Sequence, residues 1–251
     1  MRLVETHRLD DHQLAKWLAG KAGELLRSLR GGSLEGEALG AAADRLANGF
    51  LLDQLRSLRS ADAVLSEESP DDLGRLAARR VWIVDPLDGT REYVQGRPDW
   101  AVHVALAVDG RPVAGAVARP DFDSVFATGH IAATPRPNRP GIMLVSRTRP
   151  PPEAAALATH LGVEIRSMGS AGAKAMAVVA GEADIYYHSG GQHEWDNCAP
   201  VAVALAAGLH ASRADGSLLV YNQRAVQVPD LIIGRRELGE AAVSFFRSRR
   251  S

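Results

Sequence analysis

The chain has one cysteine, no excess of basic charge and no long apolar run. Because Cys198 is the single cysteine in 251 residues, an intramolecular disulfide framework is excluded and a reducing compartment is favoured. The formal net charge is −1, and no Lys/Arg run with interleaved aromatic residues is present, so a nucleic-acid polymer is not expected as a partner. The apolar stretch 199–207 is too short to cross a bilayer, so no membrane insertion is expected.

Residues 1–11 are charged throughout and lack the apolar core of a signal peptide, which favours a cytoplasmic protein. With 46% hydrophobic and 24% charged residues, the chain can bury the core of one large or two small domains. Three prolines within residues 134–140 predict a boundary. We therefore expect two halves, an N-terminal α+β half, 1–133, and a C-terminal α/β half, 141–251.

Hydrophobic periodicity predicts two helices at the start of the chain, 14–29 after a cap at Asp10 or Asp11, and 41–58. A short strand that starts at Asp62 and runs into Glu67 and Glu68, a strand at 81–84 and a hairpin turning at Asp109-Gly110 are predicted next, with a further strand at 125–128. The second half alternates strands and helices up to a helix at 197–207. This alternation indicates an α/β protein in which sheets are layered with helices.

The most informative segment is Val-Trp-Ile-Val-Asp-Pro-Leu-Asp-Gly-Thr at 81–90. Its four apolar residues predict a buried strand that ends at Pro86, because proline cannot donate to a ladder. Asp85 and Asp88 follow the strand closely enough to share metal ions, and the N–H groups of Gly89 and Thr90 could bind an anion. Asp-Pro and Asp-Gly also occur in ordinary turns, so this segment alone leaves both interpretations open.

Two further acidic segments complete a pattern, Ser-Glu-Glu at 66–68 and Trp-Asp-Asn-Cys-Ala-Pro at 195–200. Taken singly, Glu67 could lie in a solvated acidic corner, and Asp196 could cap the helix that follows it. With Asp-Pro-Leu-Asp-Gly-Thr at 85–90, the three segments resemble the magnesium-dependent, lithium-sensitive phosphatases of the inositol monophosphatase superfamily. The resemblance covers roughly residues 10–233 and implies a layered α-β-α-β-α sandwich of the inositol monophosphatase/fructose-1,6-bisphosphatase type.

The resemblance also implies a binding site for two or three Mg²⁺ ions. The N-terminal half would carry the main metal-binding motif, and the C-terminal half would complete the metal site and the substrate pocket. Glu67, Asp85 and the Leu87 carbonyl would hold the first ion, whereas Asp85, Asp88 and Asp196 would hold the second. Thr90 would orient the attacking water, and Glu67 would accept its proton. Mg²⁺ favours hard oxygen ligands of this kind, lowers the pKa of bound water and neutralises phosphoryl oxygens.

Arg91-Glu92-Tyr93, which follows Thr90, resembles the nucleotidase branch, the bacterial 3′-phosphoadenosine 5′-phosphate phosphatases. Gly169-Ser-Ala-Gly-Ala-Lys174 is similar to the Gly-Ser-x-x-Lys of that branch, with one residue inserted. The implied substrate site comprises the following residues: Asp88, Gly89, Thr90, Gly169, Ser170, Lys174 and Asp196.

Several residues near these motifs also have ordinary structural interpretations. Lys174 could bind a phosphate or be a solvated helix lysine, and Cys198 fits a small buried residue. Tyr93, Trp100 and Trp195 could stack on a base, although such residues more often pack in a core or between domains. His193 is interpreted as a loop histidine, because imidazole suits Mg²⁺ poorly.

We therefore expect a magnesium-dependent phosphomonoesterase that converts 3′-phosphoadenosine 5′-phosphate to AMP and phosphate in sulfate assimilation, with Li⁺ and Ca²⁺ as inhibitors. A homodimer is common in the family that the chain resembles. Inositol 1-phosphate and fructose 1,6-bisphosphate remain alternative substrates, because the metal site does not discriminate among them. A catalytically silent nucleotide- or metal-binding module is the alternative from a different class.

Overall fold

Strands within residues 9–135 and 137–249, the part of the chain that the computed structural model describes, form two five-stranded sheets. The helices are α1 (Asp11–Arg30), α2 (Gly36–Leu58), α3 (Thr90–Val94), α4 (Ala154–Leu161), α5 (Ala171–Val179), α6 (Glu194–Ala206) and α7 (Arg236–Arg247). The strands are β1 (Ala63–Ser66), β2 (Arg80–Asp88), β3 (Ala101–Val108), β4 (Arg111–Arg119), β5 (Ser124–Ala127), β6 (Gly141–Ser146), β7 (Val163–Met168), β8 (Ile185–His193), β9 (His210–Ser212) and β10 (Gln227–Gly234).

The first helix begins where its capping residues predict. The Asp10 carboxylate accepts a 2.8 Å hydrogen bond from the Gln13 N–H, and the Gln13 side chain accepts one from the Asp10 N–H. This reciprocal arrangement satisfies N–H groups that have no partner within the helix. Leu14 and Leu18 are fully buried on the face of α1 that packs on the first sheet.

The two sheets have different topologies. The first has the order β1-β2-β3-β4-β5, in which β1 is parallel to β2 and the other neighbours are antiparallel. The second has the order β7-β6-β8-β10-β9, in which β6 is parallel to β7 and β8. Strands of the first sheet lie within residues 63–127, and strands of the second within 141–234.

Three apolar clusters separate five layers. Helices α1 and α2 cover one face of the first sheet, α5 and α6 lie between the two sheets, and α4 and α7 cover the far face of the second sheet. Successive side chains of β2 point to opposite faces of the sheet and therefore belong to two of these clusters. Trp82 and Val84 face α1 and α2, whereas Val81 and Ile83 face α5 and α6. The predicted layered α-β-α-β-α fold is confirmed.

The prediction that the strand ends at Pro86 is wrong, because β2 continues to Asp88. Asp85 pairs with His103 and Asp88 pairs with Ala101, so three steps along β2 match two steps along β3. This difference is a β-bulge, and a bulge tolerates proline because it leaves a backbone N–H outside the ladder. The bulge brings Asp85 and Asp88 to the same cavity.

The end of the chain differs further from the sequence prediction. Strand β8 extends to His193, so α6 begins at Glu194 instead of residue 197. Strands β9 and β10 and helix α7 were not predicted, and Pro229 interrupts the apolar pattern of β10 where its register shifts. Within 9–135 and 137–249, no helix is both long and apolar enough to cross a membrane.

Candidate active site

A cavity of about 610 Å³ lies where the ends of β2 and β6 meet the starts of α3, α5 and α6. The elements that border it come from both sheets and from the helices between them. Every residue that the sequence nominated for catalysis, metal binding or substrate binding lines this cavity: Glu67, Asp85, Leu87, Asp88, Gly89, Thr90, Gly169, Ser170, Lys174 and Asp196.

The β2 bulge determines the directions in which the polar groups of residues 85–90 point. Asp85 is buried, and its Oδ1 accepts a 3.1 Å hydrogen bond from the Leu87 N–H. The Thr90 hydroxyl donates to the Leu87 carbonyl at 3.2 Å. The other carboxylate oxygen of Asp85, Oδ2, is buried and has no hydrogen-bond partner among the described residues. A buried carboxylate oxygen without a donor is a ready cation ligand.

Asp88 is surrounded by polar groups from both halves of the chain. Its Oδ2 accepts hydrogen bonds from the Ser170 hydroxyl at 2.5 Å and the Gly172 N–H at 2.7 Å, and His103 Nε2 lies 3.2 Å away. Burial alone would raise the pKa of Asp88, but His103, Ser170 and Gly172 outweigh burial and lower it to about 2. Asp88 is therefore ionised at neutral pH.

The pKa values of the other three carboxylates in the cavity are raised instead of lowered. Burial, together with the charges of Asp196 and Asp88, raises the pKa of Glu67 to about 7. Burial and the Asp88 charge also raise the pKa of Asp196 to about 6, although its carboxylate accepts a 2.6 Å hydrogen bond from the His193 N–H. Burial and the Glu67 and Asp88 charges raise the pKa of Asp85 well above its ordinary value. A cation at this cluster would relieve the repulsion.

One group within this cluster could hold an ion directly. Ligand atoms of Asp85, Asp88 and His103 all lie within 4.8 Å of one another, and all three residues are buried. His103 was missed by the sequence analysis, although a histidine between Val102 and Val104 in an apolar strand is a visible signal. Its Nδ1 lies 3.0 Å from the Trp195 carbonyl, which fixes the ring. Since Mg²⁺ favours oxygen, the carboxylates fit this ion better than the imidazole does.

Lys174 is buried at the inner end of the cavity, with 3% of its surface exposed. Its ammonium group donates to the carbonyls of Gly169 and Ser170, the latter at 2.8 Å, and lies 5.0 Å from the centre of the Tyr186 ring. Burial lowers its pKa to about 8. The alternative of a solvated surface lysine is wrong, because α5 turns this side chain inward.

Two arginines after β6 were not nominated from the sequence. Arg147 donates to Glu92 at 2.7 Å and also pairs with Asp99, which in turn accepts a 2.6 Å bond from the Gly169 N–H. Arg149 also lines the cavity and donates to the Gly191 carbonyl. The signal was present as Ser-Arg-Thr-Arg directly after a strand, because side chains at strand ends often border sites in layered folds.

The aromatic residues near the site differ in how deeply they are buried. Tyr93 and Trp100 are fully buried and pack edge to face with ring centres 5.0 Å apart, so their core interpretation is confirmed. Trp195 is partly buried and stacks on His193, which is the N-cap of α6.

Asp196 lies in the first turn of α6 and accepts a hydrogen bond from the backbone N–H of the N-cap residue, so it contributes to capping while also facing the cavity. Cys198 is buried, as expected.

Comparison with known proteins places this arrangement in a family. The sequence profile of the inositol monophosphatase family matches residues 11–249. The chain belongs to the inositol monophosphatase family. This family is metal-dependent, and the Asp85, Asp88 and His103 group of the present member could hold an ion.

Relatives within the family are similar over most of the chain. The chain is 48% identical to the 3′-phosphoadenosine 5′-phosphate phosphatase of Mycobacterium leprae, over 95% of this chain and 94% of that protein. It is 33% identical to the 3′(2′),5′-bisphosphate nucleotidase CysQ of Escherichia coli, over 73% of this chain and 79% of that protein. The crystal structure of CysQ from Bacteroides thetaiotaomicron superposes with a TM-score of 0.76 at 26% identity, covering 88% of this chain and 96% of that one.

Proposed function

We propose that this protein is a magnesium-dependent 3′(2′),5′-bisphosphate nucleotidase that hydrolyses the 3′-phosphate of 3′-phosphoadenosine 5′-phosphate to AMP and phosphate. We assign it to the cytoplasm and to sulfate assimilation. The observation that carries the proposal is the convergence of four carboxylates, Thr90 and Lys174 on one cavity. The 48% identity to a 3′-phosphoadenosine 5′-phosphate phosphatase over 95% of the chain supports the substrate.

The carboxylate cluster fits Mg²⁺. Glu67, Asp85 and the Leu87 carbonyl would hold one ion, and Asp85, Asp88 and Asp196 would hold another. Asp85 Oδ2, which is buried and has no hydrogen-bond partner among the described residues, supports a role for Asp85 as a metal ligand. When bound, Mg²⁺ lowers the pKa of water and neutralises the phosphoryl and leaving oxygens.

The protein's own groups orient the reactants. The Thr90 hydroxyl, held 3.2 Å from the Leu87 carbonyl, orients the attacking water at the edge of the cluster. Glu67 accepts the proton of that water, and in the metal-free cluster burial beside Asp196 and Asp88 raises the pKa of its carboxyl group. The Gly89 and Thr90 N–H groups hold the phosphoryl oxygens, so that the leaving oxygen lies in line with the attacking water.

The opposite wall of the cavity suits a substrate that carries a second anion. Lys174 lies beside the turn of Gly169 and Ser170, which joins β7 to α5. The positive charge of Arg147 is neutralised by the carboxylates of Glu92 and Asp99, whereas the side chain of Arg149 donates to a neutral carbonyl. Lys174 and Arg149 therefore supply positive charge for a 5′-phosphate, which an inositol monophosphate lacks.

Phosphate release from three substrates tests the proposal. 3′-Phosphoadenosine 5′-phosphate, inositol 1-phosphate and fructose 1,6-bisphosphate are compared at fixed Mg²⁺, with and without Li⁺. We expect kcat/KM for the nucleotide to exceed the others by roughly a hundredfold, with loss of turnover on adding Li⁺. Comparable rates on all three would instead indicate a broad inositol and sugar phosphatase. Nucleotide binding without phosphate release would indicate a silent binding module.

A further inference from the structure

A histidine that the proposed mechanism does not use lies against the cavity. Tyr186 and His188 are two residues apart in β8 and therefore share a face of the strand. Both line the cavity with Lys174, and His188 is only 3% exposed. A buried polar ring in this position contributes a fixed donor or acceptor to whatever the cavity binds.

The local backbone determines which nitrogen of His188 carries hydrogen. His188 Nε2 lies 2.6 Å from the Gly190 carbonyl oxygen, and a carbonyl can only accept, so Nε2 is the donor. Gly190 and Gly191 have φ of +72° and +71°, in the left-handed region that favours glycine. These two glycines turn the Gly190 carbonyl back toward the ring and hold the tautomer.

The other nitrogen is left with an unused lone pair. His188 Nδ1 is buried and has no hydrogen-bond partner in the part of the chain that the structure describes. Burial lowers the pKa of His188 to about 4, and the charges of Lys174 and Arg149 act in the same direction. At neutral pH the ring is therefore neutral and Nδ1 is an acceptor, which is costly to bury without a donor.

The required partner is a neutral donor. A phosphate group only accepts hydrogen bonds at neutral pH, so it cannot satisfy Nδ1. His188 lines the same cavity as Asp88, which belongs to the proposed metal side, and as Lys174 and Arg149, which belong to the proposed anion side. The group that lies between the two phosphates of a nucleoside 3′,5′-bisphosphate is the ribose, and its 2′-hydroxyl, beside the ester oxygen, is a donor.

We propose that His188 Nδ1 accepts a hydrogen bond from the 2′-hydroxyl of the bound nucleotide and thereby selects ribonucleotide over deoxyribonucleotide bisphosphates. The inference rests on the proposed nucleotidase function and adds a specificity-determining residue to it. This contact discriminates between the two substrates because a buried acceptor that pairs with the hydroxyl is left without a partner when the 2′-deoxy analogue binds.

A cycle that combines a protein change with a substrate change tests this contact. The kcat/KM values of the wild type and of His188→Ala are measured with 3′-phosphoadenosine 5′-phosphate and with its 2′-deoxy analogue. Each single change is expected to lower kcat/KM about tenfold, and the two together by little more than either alone, since both remove the same hydrogen bond.

A pair of variants separates the acceptor from a structural effect. In His188→Asn the amide oxygen takes the place of Nδ1, whereas in His188→Gln the amide reaches the place of Nε2. We expect Asn to retain most of the preference for the ribonucleotide and Gln to lose it. If His188→Ala does not fold, the wild-type preference and the Asn and Gln variants still decide the question.

Three outcomes would overturn the inference. In the first, the wild type hydrolyses ribo and deoxy substrates equally well. In the second, the two losses multiply, so that His188 and the hydroxyl act independently. In the third, the His188→Ala penalty persists on the deoxy substrate and disappears with 3′-phosphoinosine 5′-phosphate, which assigns the contact to the adenine amine. Absence of phosphate release from the nucleotide by the wild type overturns the proposed function as well, and this control is measured first.

Discussion

The Ser170 hydroxyl donates a 2.5 Å hydrogen bond to the carboxylate of Asp88. Ser170 is also the N-cap of α5, where its oxygen accepts from the Ala173 N–H at 2.9 Å. The bond joins the bulge of the first sheet to the helix that carries Lys174. The proposed metal side and substrate side of the cavity are thereby held in one geometry.

Asp85→Asn is expected to remove the response of the protein to Mg²⁺. Without metal, the change removes a carboxyl group whose ionised form is disfavoured by burial beside Glu67 and Asp88, so the melting temperature in EDTA should stay equal or rise. The Mg²⁺-dependent increase in melting temperature should disappear, because binding to the native state is what stabilises it. Turnover should fall by roughly a hundredfold or more.

The control for this change is Asp53→Asn, whose side chain is 76% exposed on α2. It should leave both the melting temperature and its dependence on Mg²⁺ as in the wild type. Differential scanning fluorimetry with and without Mg²⁺, together with phosphate release, checks both variants. An unchanged metal response in a folded Asp85→Asn protein would contradict the role of Asp85 as a metal ligand.

Gly172→Ala and Gly49→Ala should change stability in opposite directions. A Cβ at Gly172 would lie 2.0 Å from His103 Nε2, so the ring or α5 must move, at a cost of about 1–3 kcal/mol or more. At Gly49 in α2, no described atom lies within 4 Å of an added Cβ, and alanine should stabilise the helix by about 0.5–1 kcal/mol. Urea denaturation measures both, and a stable Gly172→Ala protein would refute the tight packing of His103.

Arg147→Ala should be strongly destabilising. Its guanidinium neutralises Glu92 and Asp99, whose side chains are buried, and removing it leaves two uncompensated charges at a cost of about 3–5 kcal/mol. Arg166→Ala is the matched control, because the Arg166–Glu164 pair is more than half exposed and should contribute about 0–1 kcal/mol. Equal free energies of unfolding for the two variants, from chemical denaturation, would argue against a structural role for Arg147.

His188 should make the free energy of unfolding depend on pH. Its pKa is about 4 in the folded protein against 6.5 for an unperturbed histidine, so between these values the unfolded chain binds a proton that the native state does not. Stability therefore falls as the pH is lowered from 6.5 to 4, by roughly 1–3 kcal/mol from this group. His188→Asn lacks this contribution, so the difference in unfolding free energy between wild type and variant should change across that window. Parallel curves from denaturation in EDTA would contradict the prediction.

Local sequence patterns were sufficient to predict those elements whose structure depends on neighbouring residues. The capping residue Asp10, the periodicity of α1 and α2, and the hairpin at Asp109-Gly110 are all properties of neighbouring residues, and their elements were predicted close to their observed bounds. The acidic segments were recognised for the same reason. By contrast, the end of β2 was misplaced, because the bulge that accommodates Pro86 depends on pairing with β3.

The sequence by itself determined the family, the layered fold and the carboxylates that line the cavity, because these follow from residue types at short spacings and from the order of three segments. Only the tertiary structure decided the surroundings of each side chain. Whether Lys174 is buried and what pairs with Arg147 depend on groups far apart in the chain. Packing of two sheets around α5 and α6 brings those groups together, and no short pattern in the sequence encodes that contact.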